Sequence, residues 1–87
     1  MHAVVADVEI RDQEAARKNL EEQVLPMIKG APGFVAGYWI RLDDTHGTSV
    51  VVFDTKEQAL AGTPTEGAEG QGVTFTRVAD GEVLASL

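Results

Sequence analysis

Two carboxylates one residue apart, Asp7 and Glu9 in "VVADVEI", are the first groups that could do chemistry. On a strand they share a face, and a carboxylate held dry beside a like charge can serve as a general base near neutral pH. The commoner reading of such a pair is structural: an ion pair with Arg41 or Arg77, or exposure near a strand end. A second concentration lies in "APGFVAGYWIRLD", where Phe34, Tyr38 and Trp39 put three of the five aromatics within six residues. Tyr38 and Trp39 are neighbours, so strand alternation sends them to opposite faces. Either could stack on a flat ligand or position it through its O–H or N–H, although aromatics more often pack cores and interfaces. Arg41 shares the face of Trp39 and could either bind an anionic group or neutralise Asp7.

Other chemistries find little support. There is no cysteine, which removes disulfides, thiolate metal sites and thiol nucleophiles together. The two histidines, His2 and His46, lie far apart in the chain, so one subunit cannot build a multi-histidine metal centre; His46 falls in a polar turn and reads as solvated. The glycines between positions 67 and 72 lack the lysine of a phosphate loop and follow a helix where such a loop precedes one. No metal or cofactor is expected. A net charge of −7 without a basic cluster argues against nucleic acid and anionic membrane surfaces. No apolar run approaches the ~20 residues of a membrane helix, and no secretion signal is read at the amino terminus, so the default expectation is cytoplasmic.

The elements that must carry these groups are set by periodicity. Val4, Ala6, Val8 and Ile10 alternate with Val5, Asp7 and Glu9, the pattern of a strand with one apolar face. Asp12 offers a helix N-cap, and Ala16, Leu20, Val24 and Ile28, with Met27 beside them, form one stripe. Pro26 must kink or end that helix, and Lys29, Gly30 and Pro32 complete the stop. In the second strand Phe34, Ala36, Tyr38, Ile40 and Leu42 share a face, opposite Val35, Trp39 and Arg41. "DDTHG" reads as a turn in which Gly47 supplies backbone freedom. "TSVVVFD" comes next as a third strand, nearly continuous in apolar residues. Thr55 and Gln58 form a capping box for a short second helix. Residues 62–72, with four glycines and a proline, read as a mobile loop. The last strand contains Asp80-Gly81, either a tight hairpin or a bulge.

The expected order is therefore β-α-β-β-α-β in a single domain over 1–87: an α+β, ferredoxin-like antiparallel sheet with both helices on one face. Eighty-seven residues bury only roughly 60–65% of their unfolded surface. The opposite sheet face is left bare, and a second copy is the simplest cover for its apolar and aromatic residues.

With that order, "APGF" before the second strand and "GTSVVVFDTKEQA" across the third strand and second helix, the chain resembles the dimeric α/β-barrel superfamily, in particular its antibiotic-biosynthesis-monooxygenase-like group. The resemblance implies two sheets packed face to face about a two-fold axis, with a pocket in each subunit between sheet and helices. It also implies cofactor-independent oxygenase or haem-degrading chemistry in some members. Residue by residue, the polar first-strand position falls at Asp7 where haem-degrading members carry asparagine. The third-strand aromatic is Phe53 where tryptophan is common, and no tryptophan or histidine occupies the second helix. The expectation is thus a homodimer with a pocket for an apolar or aromatic small molecule, Asp7 as catalytic candidate and Tyr38, Trp39, Arg41, Phe53 and Phe75 as its lining. If it is an enzyme, it is a cofactor-independent monooxygenase-like oxidoreductase. The competing expectation is a non-catalytic dimeric module that binds a metabolite or another protein, favoured by the absence from the second helix of the groups that the resemblance would call for and by the scarcity of histidine and cysteine.

Overall fold

The computed structural model describes every residue except Gln71. The alternation in "VVADVEI" becomes β1 (His2–Ile10), with Val4 and Ala6 buried on one face and Val5 exposed on the other. Asp12 caps the helical run after β1, its Oδ1 accepting from the Ala15 N–H at 3.0 Å. The expected single helix is a run of three segments: α1 (Gln13–Asn19), a π turn (Leu20–Val24) and α2 (Leu25–Lys29). Pro26 accounts for the break. In a regular α-helix its ring would press on the carbonyl of Glu22. The wide turn, in which Leu25 N–H reaches the Leu20 carbonyl, opens the backbone just before the proline. The extra residue in that turn also rotates later positions about the axis. Ile28 is consequently buried while Met27 is 65% exposed and leaves the stripe.

The remaining elements are β2 (Phe34–Arg41), β3 (His46–Phe53), α3 (Lys56–Ala61) and β4 (Val73–Glu82). The strands form one open sheet in the order β2-β3-β1-β4, every neighbouring pair antiparallel. Val4, Val51 and Phe53 from the sheet cluster with Ile28 of α2 and Ala59 of α3, so both helices cover the same face. This α+β arrangement is compatible with a ferredoxin-like fold. Among the described residues no helix is long and apolar enough to cross a membrane.

Four local expectations change. A register shift between Phe34 and Ala36 turns Phe34 away from the face of Tyr38 and into the core. There its ring meets Phe53 edge-on, 6.4 Å between centroids. Thr55 Oγ1 does accept from the Gln58 N–H at 3.2 Å, but the Gln58 side chain does not complete a capping box. Its buried Oε1 has no hydrogen-bond partner among the described residues and lies against Gly33, whose φ of +78° and missing Cβ make the room. Within residues 62–72, where a mobile loop is expected, residues 67–70 are stitched to β4: Gly67 N–H donates to the Phe75 carbonyl at 2.7 Å, and Phe75 N–H to the Ala68 carbonyl at 2.9 Å. Of that loop, Gln71 lies outside the described residues. Finally, β4 runs straight through Asp80-Gly81, paired with Val4 and Ala3, as neither hairpin nor bulge. The irregularity sits instead between Asp7 and Val8. The ladder continues because β1 still offers partners down to His2, whose Nε2 lies 2.6 Å from Asp80 Oδ2.

The β2–β3 turn needs no glycine. Asp43 Oδ1 accepts from the Thr45 N–H at 2.8 Å and approaches His46 Nδ1 at 3.0 Å, and Gly47 is already inside β3. The Thr45 N–H, and then the His46 ring, hold the Asp43 carboxyl below its ordinary 3.8. A carboxylate with a depressed folded pKa stabilises the turn above the ordinary value, and that contribution disappears as pH falls through the depressed one. An NMR titration of the Thr45 amide should therefore show a midpoint below 3.8. A midpoint at or above 3.8 would mean that the carboxylate does not hold the turn.

Candidate functional site

A cleft of about 880 Å³ lies between the sheet and the first helical run, within the roughly 300–1,000 Å³ usual for small-molecule sites. Its origin can be read from the register. Arg41, Gly47, Val8 and Phe75 form one row across β2, β3, β1 and β4, and Trp39, Ser49, Ala6 and Val78 form the next. The two central strands thus contribute Gly47, Ser49 and Ala6, three of the smallest side chains, to the floor. Larger groups stand at the edges: Trp39 and Arg41 on β2, Phe75 on β4. Above them α1 and the π turn supply Ala16, Leu20 and Val24. This run also approaches the sheet less closely than α3 does, although Ala6 and Gly47 stay buried beneath it and Ser49 is the half-buried residue of the floor.

Trp39 is held in place by its own strand. A Cβ at Gly37 would come within 2.7 Å of the indole Cη2, so the ring occupies the space that a side chain at Gly37 would need. Gly47 serves the same end on β3, where a Cβ would meet the Ile40 carbonyl at 3.0 Å and the Val8 and Ile10 side chains just beyond. Its role is to leave floor space, not to bend the turn.

Polar groups gather at one end. Arg41 Nη1 donates to Gln13 Oε1 at 2.8 Å, and Gln13 Nε2 donates to the Asp44 carbonyl at 2.8 Å. Arg17, Glu14 and Asn19 border the same cleft, and Ser49 supplies a hydroxyl to its floor. Arg17 is also 3.9 Å from Glu21, a loose surface pair.

Of the residues expected at a site, Trp39, Arg41 and Phe75 line this cleft together. Asp7 does not: it pairs with Thr48 on the opposite face, where Thr48 Oγ1 donates to Asp7 Oδ1 at 2.8 Å. Among the described residues Asp7 has this hydroxyl as its partner rather than Arg41 or Arg77, and Arg41 stands on the other side of the sheet. Tyr38 is on the Asp7 face, 63% exposed. Phe53 is 1% exposed in the core and borders a separate hollow of about 650 Å³ beside Gln58 and Pro64. His2 is engaged with Asp80 and His46 with Asp43, both away from the cleft. Among the described residues no three histidine, cysteine, aspartate or glutamate side chains come together as a metal site.

Gln13, Leu20, Gly47 and Ser49 were missed in the sequence. The signal for the last two was present: small residues at 47 and 49 alternate in step with Val51 and Phe53. It is hidden because Gly47 reads as part of the turn and the strand after it is nearly continuous in apolar residues. Compared with protein-family models, curated proteins and solved structures, the chain finds a match in none of the three.

Proposed function

We propose that the chain is a ferredoxin-like βαββαβ protomer of a homodimeric α/β barrel, and that it binds an apolar or aromatic small molecule in the cleft beneath its first helical run. The observation that carries the binding role is the small-residue floor. Ala6, Gly47 and Ser49 hollow out the sheet where a core would otherwise be filled, and Trp39 and Phe75 flank the hollow. What supports the dimer is surface. The protomer exposes 5875 Å², against roughly 5,000 Å² expected for a monomer of its mass. The difference is close to the ~800 Å² that one partner contributes to a standard interface. Val5, Tyr38 and Ile40 stand exposed on the uncovered sheet face, and Leu84 and Leu87 on the tail beyond β4.

Binding without turnover fits the cleft better than oxygenation. Among the described residues Glu14 is the one carboxylate on its border, so an enzymatic reading must draw its base from Glu14 and not from Asp7. Trp39 is the sole tryptophan, and its emission reports occupancy directly. Titration with 1-decanol, a neutral apolar probe, should give a saturable change in that emission. Ser49→Leu, which places a large side chain on the floor, should remove the change while keeping cooperative unfolding. An unsaturable response, or the same response in the variant, sinks the assignment of this cleft.

A further inference from the structure

We propose that the ligand of this cleft is an elongated apolar monocarboxylate, with its carboxylate received by Arg41 and its body lying along the row Gly47–Val8 toward Phe75. The inference rests on the reading of the cleft as a ligand site and adds to it the ligand's shape and charge.

Shape comes from the register. Arg41 and Phe75 occupy opposite ends of one row across four strands. At ~4.8 Å per strand their backbones stand about 14 Å apart. Between them in the row stand Gly47, which has no side chain, and Val8, with the Ile10 side chain close beside Gly47. The hollow is therefore a trough running across the strands, charged at one end and aromatic at the other. A compact ring would leave one end of it empty.

Charge comes from the border of the cleft and from the surroundings of Arg41. The cleft border carries two arginines, Arg17 and Arg41, against one acid, Glu14, in a chain whose net charge is −7. The border thus carries more cation than acid, unlike the chain as a whole. Among the described residues Arg41 forms no ion pair, and its one hydrogen bond runs to the neutral Gln13, 2.8 Å away. A guanidinium has five N–H donors, so most remain available to a planar two-oxygen acceptor. Gln13 is tied in turn to the Asp44 carbonyl, which fixes the side of Arg41 that it occupies. Asp43, in the same turn, is engaged by Thr45 and His46 and does not neutralise Arg41. Both arginines are exposed, but Arg17 is shared with Glu21, which leaves Arg41 as the better placed of the two cations.

The test compares decanoate with 1-decanol, probes of one length differing in charge, by Trp39 emission and calorimetry in the wild type, Arg41→Gln and Arg41→Lys. Circular dichroism checks that each variant is folded. Decanoate should bind at least about tenfold tighter than decanol, as expected for a charge-assisted hydrogen-bonded pair. Arg41→Gln should erase that preference, and Arg41→Lys should retain part of it, because lysine keeps the charge and loses the fork. Equal binding of the two probes by the wild type overturns the carboxylate assignment and leaves the cleft as a neutral site. A preference that survives Arg41→Gln overturns the role of Arg41. Binding of neither probe overturns the ligand cleft itself and this inference with it.

Discussion

Phe53→Ala is expected to cost about 3–5 kcal/mol of stability, the usual range for a buried phenylalanine cut to alanine. For a chain of this length the total is about 4–13 kcal/mol, so the variant should be marginally folded or unfolded at 25 °C. Phe53 is the largest fully buried side chain. It packs with Val4, Ile28, Val51 and Ala59, takes the edge of Phe34, and has Gly62 against its ring tip. Urea denaturation at one fixed protomer concentration reads the effect as a lower midpoint at similar slope. A loss below about 1 kcal/mol would contradict the core placement and return Phe53 to the ligand-contacting role that the family resemblance implies.

Tyr38→Glu should instead leave the protomer fold intact and weaken the proposed dimer by about 30-fold or more. Tyr38 is 63% exposed and stands with Val5 and Ile40 on the uncovered face of the sheet, so its removal breaks no core contact. Across a two-fold axis each substitution appears twice, bringing two new carboxylates into an interface that already carries Asp7 and Glu9 against the single cation Arg77 of each protomer's β4. Tyrosines that act as interface hot spots account for about 2 kcal/mol or more, which sets the expected factor. Sedimentation velocity over a dilution series measures it. A wild type that is monomeric at every concentration would end the barrel proposal. An unchanged dimer in the variant would move the interface elsewhere. Trp39, on the opposite face, should keep its emission and its response to ligand in this variant.

These two aromatics show how far the sequence reaches. Alternation alone separates Val4 and Ala6 from Val5 and Asp7, and it separates Tyr38 from Trp39, because a strand's side-chain period is two whatever surrounds it. The Asp12 and Thr55 caps are equally legible, since a cap is a contact between residues three apart. Which of two opposite faces meets the helices is a different matter. It depends on pairings between residues about forty or more positions apart, such as Val8 with Gly47 and with Phe75.

The break in the first helix was half visible. Pro26 announces a disruption, but whether the backbone ends, kinks or widens into a π turn is settled by packing against the sheet. The shift between Phe34 and Ala36 is not signalled by any residue type; it is the core's demand for a ring beside Phe53. Likewise β4 passes through Asp80-Gly81 because β1 is there to pair with it, a partner that no local turn propensity can anticipate.

The cleft belongs wholly to the tertiary level. Gly47 is a turn glycine in the sequence and a missing floor in the sheet, and Arg41 can reach Asp7 on paper but is turned to the other side of it by the strand. Neighbours along the chain are enough to set the strands, their two faces, the caps and the acidic balance. Which small residues line up across the sheet, and which cation stands at the end of their row, is fixed by register, and register exists only once distant strands have paired.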